Sequence, residues 1–386
     1  DANERQQFIA AAEHCHAHNV RFPNSLDEVQ MLQSLGDSAF ARYLLGCFWY
    51  SKRRYDEAVS CWRETLEKSP DYAPAHRLLG VYSWNKQQDA TQALAYLQRA
   101  VALEPDNARF LFELDFLQKL LARPVHERLT TLVERKAVVL KRDDLTAELL
   151  SLWNASGHYA DAAAILDTRV FHPWEGGEGK ITGQYLLNQL HRALQFIERG
   201  AFKQATDCLK AALRYPDNLG EGRLPGQTDN DIWYLLGYCA EQAGDAQQAA
   251  EYYQLARQGG STLDAGRYYN DQPADYLFWQ GIALRKSGNP AQAEQHFRHF
   301  IDWAAQHRDD VPQVDFFAVS LPDLVVLDVS AQQRHQQHCL FIEALGHLGL
   351  GNVSASQQAM QRLLQLNPAH DKAHLIRHAL QSGIFS

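Results

Sequence analysis

YLLGCFWYSKRRYDEAVSCWRETLEKSP, residues 43–70, contains two apolar helical stretches joined by a polar turn, SKRRY. Each stretch has a small residue on its apolar face, Gly46 in the first and Ala58 in the second. Trp62 follows Ala58 by four residues and Pro70 by twelve. Leu45-Gly46 recurs as Leu79-Gly80, a period of 34, in HRLLGVYSWNKQQDATQALAYLQRAVALEP, residues 76–105. After one inserted residue, Ala93, Leu97 and Pro105 repeat the same spacing, with Ala100 between them. DIWYLLGYCAEQAGDAQQAAEYYQLA, residues 231–256, offers Trp233, Leu236, Gly237, Ala249, Tyr253 and Ala256 in the same order. The pattern predicts paired antiparallel helices. Gly46, Gly80 and Gly237 let the second helix approach closely, and Trp62 and Tyr253 fill the space between. Trp233 is expected in the core, and the prolines end the second helix because proline cannot continue one.

These residue types at these offsets resemble the tetratricopeptide repeat. Weaker copies follow. Tyr159, Ala162 and Leu166 mark one, and Phe196, Ala205, Leu209 and Ala212 another. Gly281, Leu284, Ala293 and Phe297 mark a third, while the last keeps Pro368 but has Ser356 in the alanine slot. About seven units are expected, near 39–72, 73–107, 143–174, 186–219, 230–263, 274–307 and 337–370, with a degenerate pair at 108–142. Residues 1–38 and 371–386 read as capping helices around a 39–370 array, with Ser25 and Glu28 at capping-box spacing. The resemblance implies an all-α solenoid, a right-handed superhelix of helix pairs with a concave binding groove. One such pair cannot bury its own apolar face, so neighbours must stack.

Totals narrow the function. The formal charge of −9, with Lys and Arg thinly spread, argues against a nucleic-acid partner. No apolar run approaches membrane-spanning length. Six dispersed cysteines without a C-x-x-C pair suggest a reducing, cytoplasmic setting. The chain starts at Asp1 rather than Met, which reads as processing or a fragment.

Three stretches break the period: 169–185, 216–229 and 308–330. RVFHPWEGGEGKITGQY, residues 169–185, has four glycines and a lysine, yet Ile181 follows Gly179-Lys180 where a P-loop needs Ser or Thr. A nucleotide site is excluded on that ground, and no cofactor is expected. Two readings remain. In one the stretch is a connector, with Pro173 ending a helix and Trp174 packing. In the other it is a ligand loop, with flat faces from Phe171, Trp174 and Tyr185 and polar groups from His172, Glu175, Glu178 and Lys180, a combination suited to sugars. The apolar 308–330 segment must pack on the array, as filler, as a donor of Asp315, Phe316 and Asp323 to the same pocket, or as a surface for self-association. His338, just beyond it, is a further candidate to face that pocket.

RVFHPWEGGEGK, YYNDQPADYLFWQGIAL, VDFFAVSLPDL and HCLFIEALGHLGLG resemble the C-terminal repeat half of a bacterial family whose N-terminal domain is β-rich and mutarotase-like. That resemblance covers residue 39 to the end and carries no catalytic residues. It implies an association with carbohydrate-utilisation systems. The expected function is a scaffold that binds a partner protein, or a preceding domain of its own chain, in the groove. The alternative is an accessory half that adds Glu175, Glu178, Asp315 or Asp323 to a glycoside-processing site. His14 and His18, and His370, His374 and His378, are spaced for helical faces. They are read as solvated rather than as metal ligands.

Overall fold

The computed structural model describes Gln7 and residues 22–265, 271–312 and 326–385, and it divides into two compact units. The first spans Asp1–Leu121 with Val326–Asp328, and the second spans Ala122–Val325 with Val329–Ser386. The boundary falls inside the 108–142 segment. Every regular element among the described residues is helical.

In the first unit, α1 (Leu26–Ser34) precedes the hairpin α2 (Ala39–Ser51) and α3 (Tyr55–Lys68), the hairpin α4 (Ala73–Asn85) and α5 (Ala90–Leu103), and α6 (Ala108–Leu120). The Ser25 hydroxyl accepts from Glu28 N–H, and the Glu28 carboxylate accepts from Ser25 N–H at 3.0 Å, which closes the capping box. Asp89 and Asn107 cap α5 and α6. Pro70 and Pro105 stand two residues beyond the ends of α3 and α5.

The second unit opens with α7 (Val125–Glu134) and the short α8 (Lys136–Val139). Five hairpins follow: α9 (Asp143–Ala155) with α10 (Tyr159–Leu166), α11 (Lys180–Glu198) with α12 (Phe202–Ala212), α13 (Asn230–Gln242) with α14 (Ala246–Ala256), α15 (Tyr276–Lys286) with α16 (Pro290–His307), and α17 (Ala331–Gly349) with α18 (Val353–Leu366). Within each pair the helices pack on each other, and α12 on α13, α14 on α15 and α16 on α17 join successive pairs. A final helix, α19 (Asp371–Gln381), ends the chain's regular structure.

The predicted small-to-large contact joins the helices of the α2–α3 and α13–α14 hairpins. A Cβ on Gly46 would lie 2.4 Å from the Trp62 ring, and one on Gly237 would lie 2.6 Å from the Tyr253 ring. Ala58, Trp62, Ala93, Leu97 and Ala293 are completely buried, as the period requires. Gly237→Ala is therefore expected to overpack the hairpin and cost about 1–3 kcal/mol, read as a lower urea midpoint. An unchanged midpoint would mean that the two helices do not close on one another there.

Trp233 departs from expectation. It is half-buried and stacks on Tyr252 with centroids 5.9 Å apart, while its neighbour Tyr234 takes the fully buried position. The helix turns 100° between the two residues, so the larger ring faces outward.

Candidate partner groove

The last helix does more than close the array. It packs along the first helices of the preceding hairpins, α9 and α11 foremost. Its sequence explains the fit. Ala373, Leu375, Ile376 and Ala379 are spaced for one apolar stripe and are all buried. Charged and polar residues flank the stripe, and Asp371, Lys372 and His378 find partners on other helices.

Asp371, at the start of α19, accepts from Ser151 Oγ of α9 and from Gln184 Nε2 of α11, both at 2.8 Å. The amides behind these residues are themselves linked. Asn154 Nδ2 donates to Gln184, and Asn188 Nδ2 donates to Asn154 Oδ1 and to the Tyr159 carbonyl at 2.9 Å. Buried amides need such partners, because an unpaired one costs its full desolvation penalty.

Lys372 sits between two carboxylates, 3.5 Å from Asp231 and 3.2 Å from Asp275, and over the Tyr276 ring. Asp231 lies in the first turn of α13 and Asp275 at the N-cap of α15, where helix dipoles favour negative charge. Burial raises the Asp231 carboxyl above its ordinary range although Lys372 pulls the other way. Burial also opposes the Lys372 charge, but Asp275 and Asp231 overcome it and hold the ammonium firmly protonated.

Further along, His378 joins a stacked cluster. Its Nδ1 lies 2.9 Å from His191 Nδ1 and 3.3 Å from the Tyr159 hydroxyl, and its Nε2 lies 3.3 Å from Glu198. At most one proton fits between the two Nδ1 atoms. Burial lowers both histidines below the usual imidazole range. Beyond the helix, Tyr234 donates its hydroxyl to the Ile384 carbonyl at 3.0 Å, and Phe385 packs edge-on to Phe278.

The solvated reading of His370, His374 and His378 is therefore wrong. His370 accepts from Ala373 N–H as the α19 cap and lies against Phe341, and His374 Nε2 is 2.7 Å from the Pro368 carbonyl. Helical spacing shows that three histidines share a face. It does not show that the face meets another helix. His14 and His18 lie outside the described residues.

The loop residues singled out from the sequence have varied settings. Phe171 is buried, with its N–H donating to the Asn218 carbonyl at 2.8 Å. Tyr185 is buried and donates its hydroxyl to the Ala211 carbonyl at 3.2 Å. His172 is exposed, with its N–H donating to Asp143 at 2.9 Å. Trp174 is half-buried and covers Gly177, with Lys180 Nζ 6.0 Å from its ring. Glu175, Glu178 and Lys180 are exposed. The 169–185 and 216–229 interruptions pack together. Glu221 accepts from Gly179 N–H at 3.0 Å and from the Thr182 hydroxyl, which satisfies the start of α11. His338 belongs to a separate contact on α17, with Nε2 2.6 Å from the Leu263 carbonyl. Asp315, Phe316 and Asp323 lie outside the described residues.

Cys47, Cys61, Cys208, Cys239 and Cys339 are free thiols. Burial pushes Cys47 up to about 12 and Cys61, Cys239 and Cys339 to about 11, so none is an activated nucleophile. Among the described residues no cluster of three or more His, Cys, Asp or Glu side chains is arranged for a metal ion. No described helix is long and apolar enough to cross a membrane.

A model of the tetratricopeptide repeat matches residues 49–108 and 190–266. The chain carries tetratricopeptide repeats. Those two matches cover α3–α5 and α12–α14 together with parts of flanking helices, about a third of the chain. Outside those matches the α15–α16 hairpin uses the same packing at Gly281, whose Cβ would fall 2.6 Å from the Phe297 ring. An all-α repeat solenoid is the fold class.

Among solved structures, the chain is similar to YrrB, a repeat protein described as having an unusual peptide-binding site. Identity is 12% over 59% of this chain and 90% of that one, with a TM-score of 0.31. It is also similar to a chain of the Naa15/Naa10 complex bound to HypK-THB, at 15% identity over 94% of this chain and 51% of that one, with a TM-score of 0.41. A third is the apo quorum sensor NprR from B. thuringiensis, at 12% identity over 95% and 98% of the two chains, with a TM-score of 0.33.

Proposed function

We propose that this chain is a protein-interaction scaffold whose second unit recognises an amphipathic helix. The observation that supports this reading is α19 itself. An aliphatic stripe fills the seam between first helices, a lysine enters an acidic pair, and a carboxylate meets a serine and a glutamine. This is helix-in-groove recognition, in which spaced apolar anchors give affinity and flanking polar pairs give register. The partner is a helical segment of another protein, or of a further domain of the same protein, and it competes with α19 for the seam.

The test uses the full chain carrying Lys372→Glu, which places a third carboxylate beside Asp231 and Asp275 and loosens the tail. A fluorescent peptide with the sequence of residues 369–385 is titrated against this variant and against the wild type. The variant is expected to bind at least tenfold more tightly. A folded variant that fails to take up the peptide sinks the reading.

A further inference from the structure

The first unit includes a contact between a helix end and a segment distant in sequence. Residues Val326–Asp328 are remote in sequence from its helices but lie against the C-terminal end of α4. Asn85, the last residue of α4, reads their backbone with both ends of its amide. Its Nδ2 donates to the Val326 carbonyl at 2.9 Å, and its Oδ1 accepts from Asp328 N–H at 2.8 Å. Trp84 Nε1 donates to the Asp328 carbonyl at 2.9 Å. Leu327, between the two clamped residues, is completely buried, while Asp328 is exposed.

Three hydrogen bonds to main chain and one side-chain socket make an extended-peptide site, the same division of labour by which strand addition works: backbone bonds hold and pockets select. Such bonds do not depend on the identity of the chain that makes them. The surface continues past the three residues. Tyr50 shares a hydrogen bond with Asn85, and Tyr50, Tyr55 and Tyr82 form a run of half-buried rings with neighbouring centroids 5.2 and 6.5 Å apart. The α2–α3 turn carries Lys52, Arg53 and Arg54, and Lys86 follows Asn85 and lies over the Tyr55 ring. A basic rim beside a clamp that holds an Asp favours an acidic ligand.

We propose that Trp84 and Asn85 form a second recognition site, separate from the α19 seam, for an extended acidic peptide with an aliphatic residue followed by Asp or Glu. Val326–Asp328 is its resident self-ligand, which an incoming partner peptide displaces.

The experiment titrates a fluorescent peptide, VVLDVS, against full-length protein by anisotropy. In a Leu327→Asp variant the internal segment no longer fills its socket. That variant is expected to bind the peptide at least tenfold more tightly than the wild type. Adding Asn85→Ala is expected to remove at least tenfold of that affinity, and a peptide with serine in place of its leucine is expected not to bind. A folded Leu327→Asp protein that gains no affinity overturns the proposal, as does a gain indifferent to Asn85→Ala. If Leu327→Asp does not fold, Asp328→Pro, which removes the N–H bound by Asn85, is read by the same outcomes. If neither variant folds, the segment is a structural strut and the site is not exchangeable.

Discussion

Lys372→Met is expected to destabilise the second unit by about 3–5 kcal/mol, the usual cost of removing one member of a buried ionic group. The size follows from what is left behind. Asp231 and Asp275 are 2% and 5% exposed, respectively, and they face the same ammonium from two different helices. Without Lys372 two carboxylates share a desolvated seam with no cation. They respond by taking up a proton, so the deficit should be largest at neutral pH and shrink towards pH 5. Asp231 already shows the direction, since burial holds its carboxyl above the ordinary range even with Lys372 present. The triple variant Asp231→Asn, Asp275→Asn, Lys372→Met should recover most of the loss, because neutral groups of similar shape remove both the charges and their desolvation cost. Urea unfolding of the three proteins at pH 7.5 and 5 measures all of this. A Lys372→Met loss below about 1 kcal/mol, within the range of an exposed ion pair, would show that solvent screens the triad.

What could be read from the sequence, and what could not, follows from the range of each contact. Gly46 against Trp62 and Gly237 against Tyr253 join helices separated by a short turn, so fixed offsets expose them. The buried alanines follow by the same rule. The α19 seam is different. Lys372 meets Asp231 and Asp275 across 141 and 97 positions, and Asp371 meets Ser151 across 220. No local period connects such residues. A hint was present in HDKAHLIRHAL, where an aliphatic stripe lies beside three histidines, but amphipathicity alone does not say what a stripe covers. The Asn85 clamp was hidden for a similar reason, since it recognises main chain and leaves no side-chain pattern in Val326–Asp328. Trp233 was misplaced because adjacent aromatics in a helix point 100° apart, and the repeat pattern did not decide which of Trp233 and Tyr234 faces inward. In the 169–185 stretch, the residues that pack (Phe171, Tyr185) and those that stay exposed (His172, Glu175, Glu178) are interleaved over fifteen positions, so composition could not separate them.

Mild acid should weaken the same seam. His370 is held down to about 4 by burial, and His191, His374 and His378 are lowered for the same reason, His191 further by the facing His378. A histidine whose folded pKa lies below its unfolded value binds fewer protons in the folded state. Its stabilising contribution is complete above about pH 6.5 and is lost as pH falls from there towards the folded pKa. For His370 that window runs from about 6.5 to about 4 and is worth roughly 3 kcal/mol across its full width. Asp371 and Asp275 pull His370 the other way, as Glu198 does His378, and Lys372 and Arg377 add to the depression on His191 and His374. Asp231, with its pKa raised, opposes the trend by gaining protons in the folded state. Paired carboxylates whose pKa values are lowered, Asp143 and Glu241, are lost only below about pH 4, so measurements between pH 7.5 and 5 read the histidines against the opposing contribution of Asp231. Over that interval the urea midpoint should fall steadily, and amide protection factors, corrected for the intrinsic exchange rate at each pH, should fall in α19 before those in α13 or α14. The His191→Phe, His378→Leu pair keeps the stacked apolar bulk near Tyr159 and removes two of the titrating groups, so its midpoint should depend less on pH. A midpoint that stays level from pH 7.5 to 5 in the wild type would mean that these rings reach water freely, and that α19 is not sealed against the repeats.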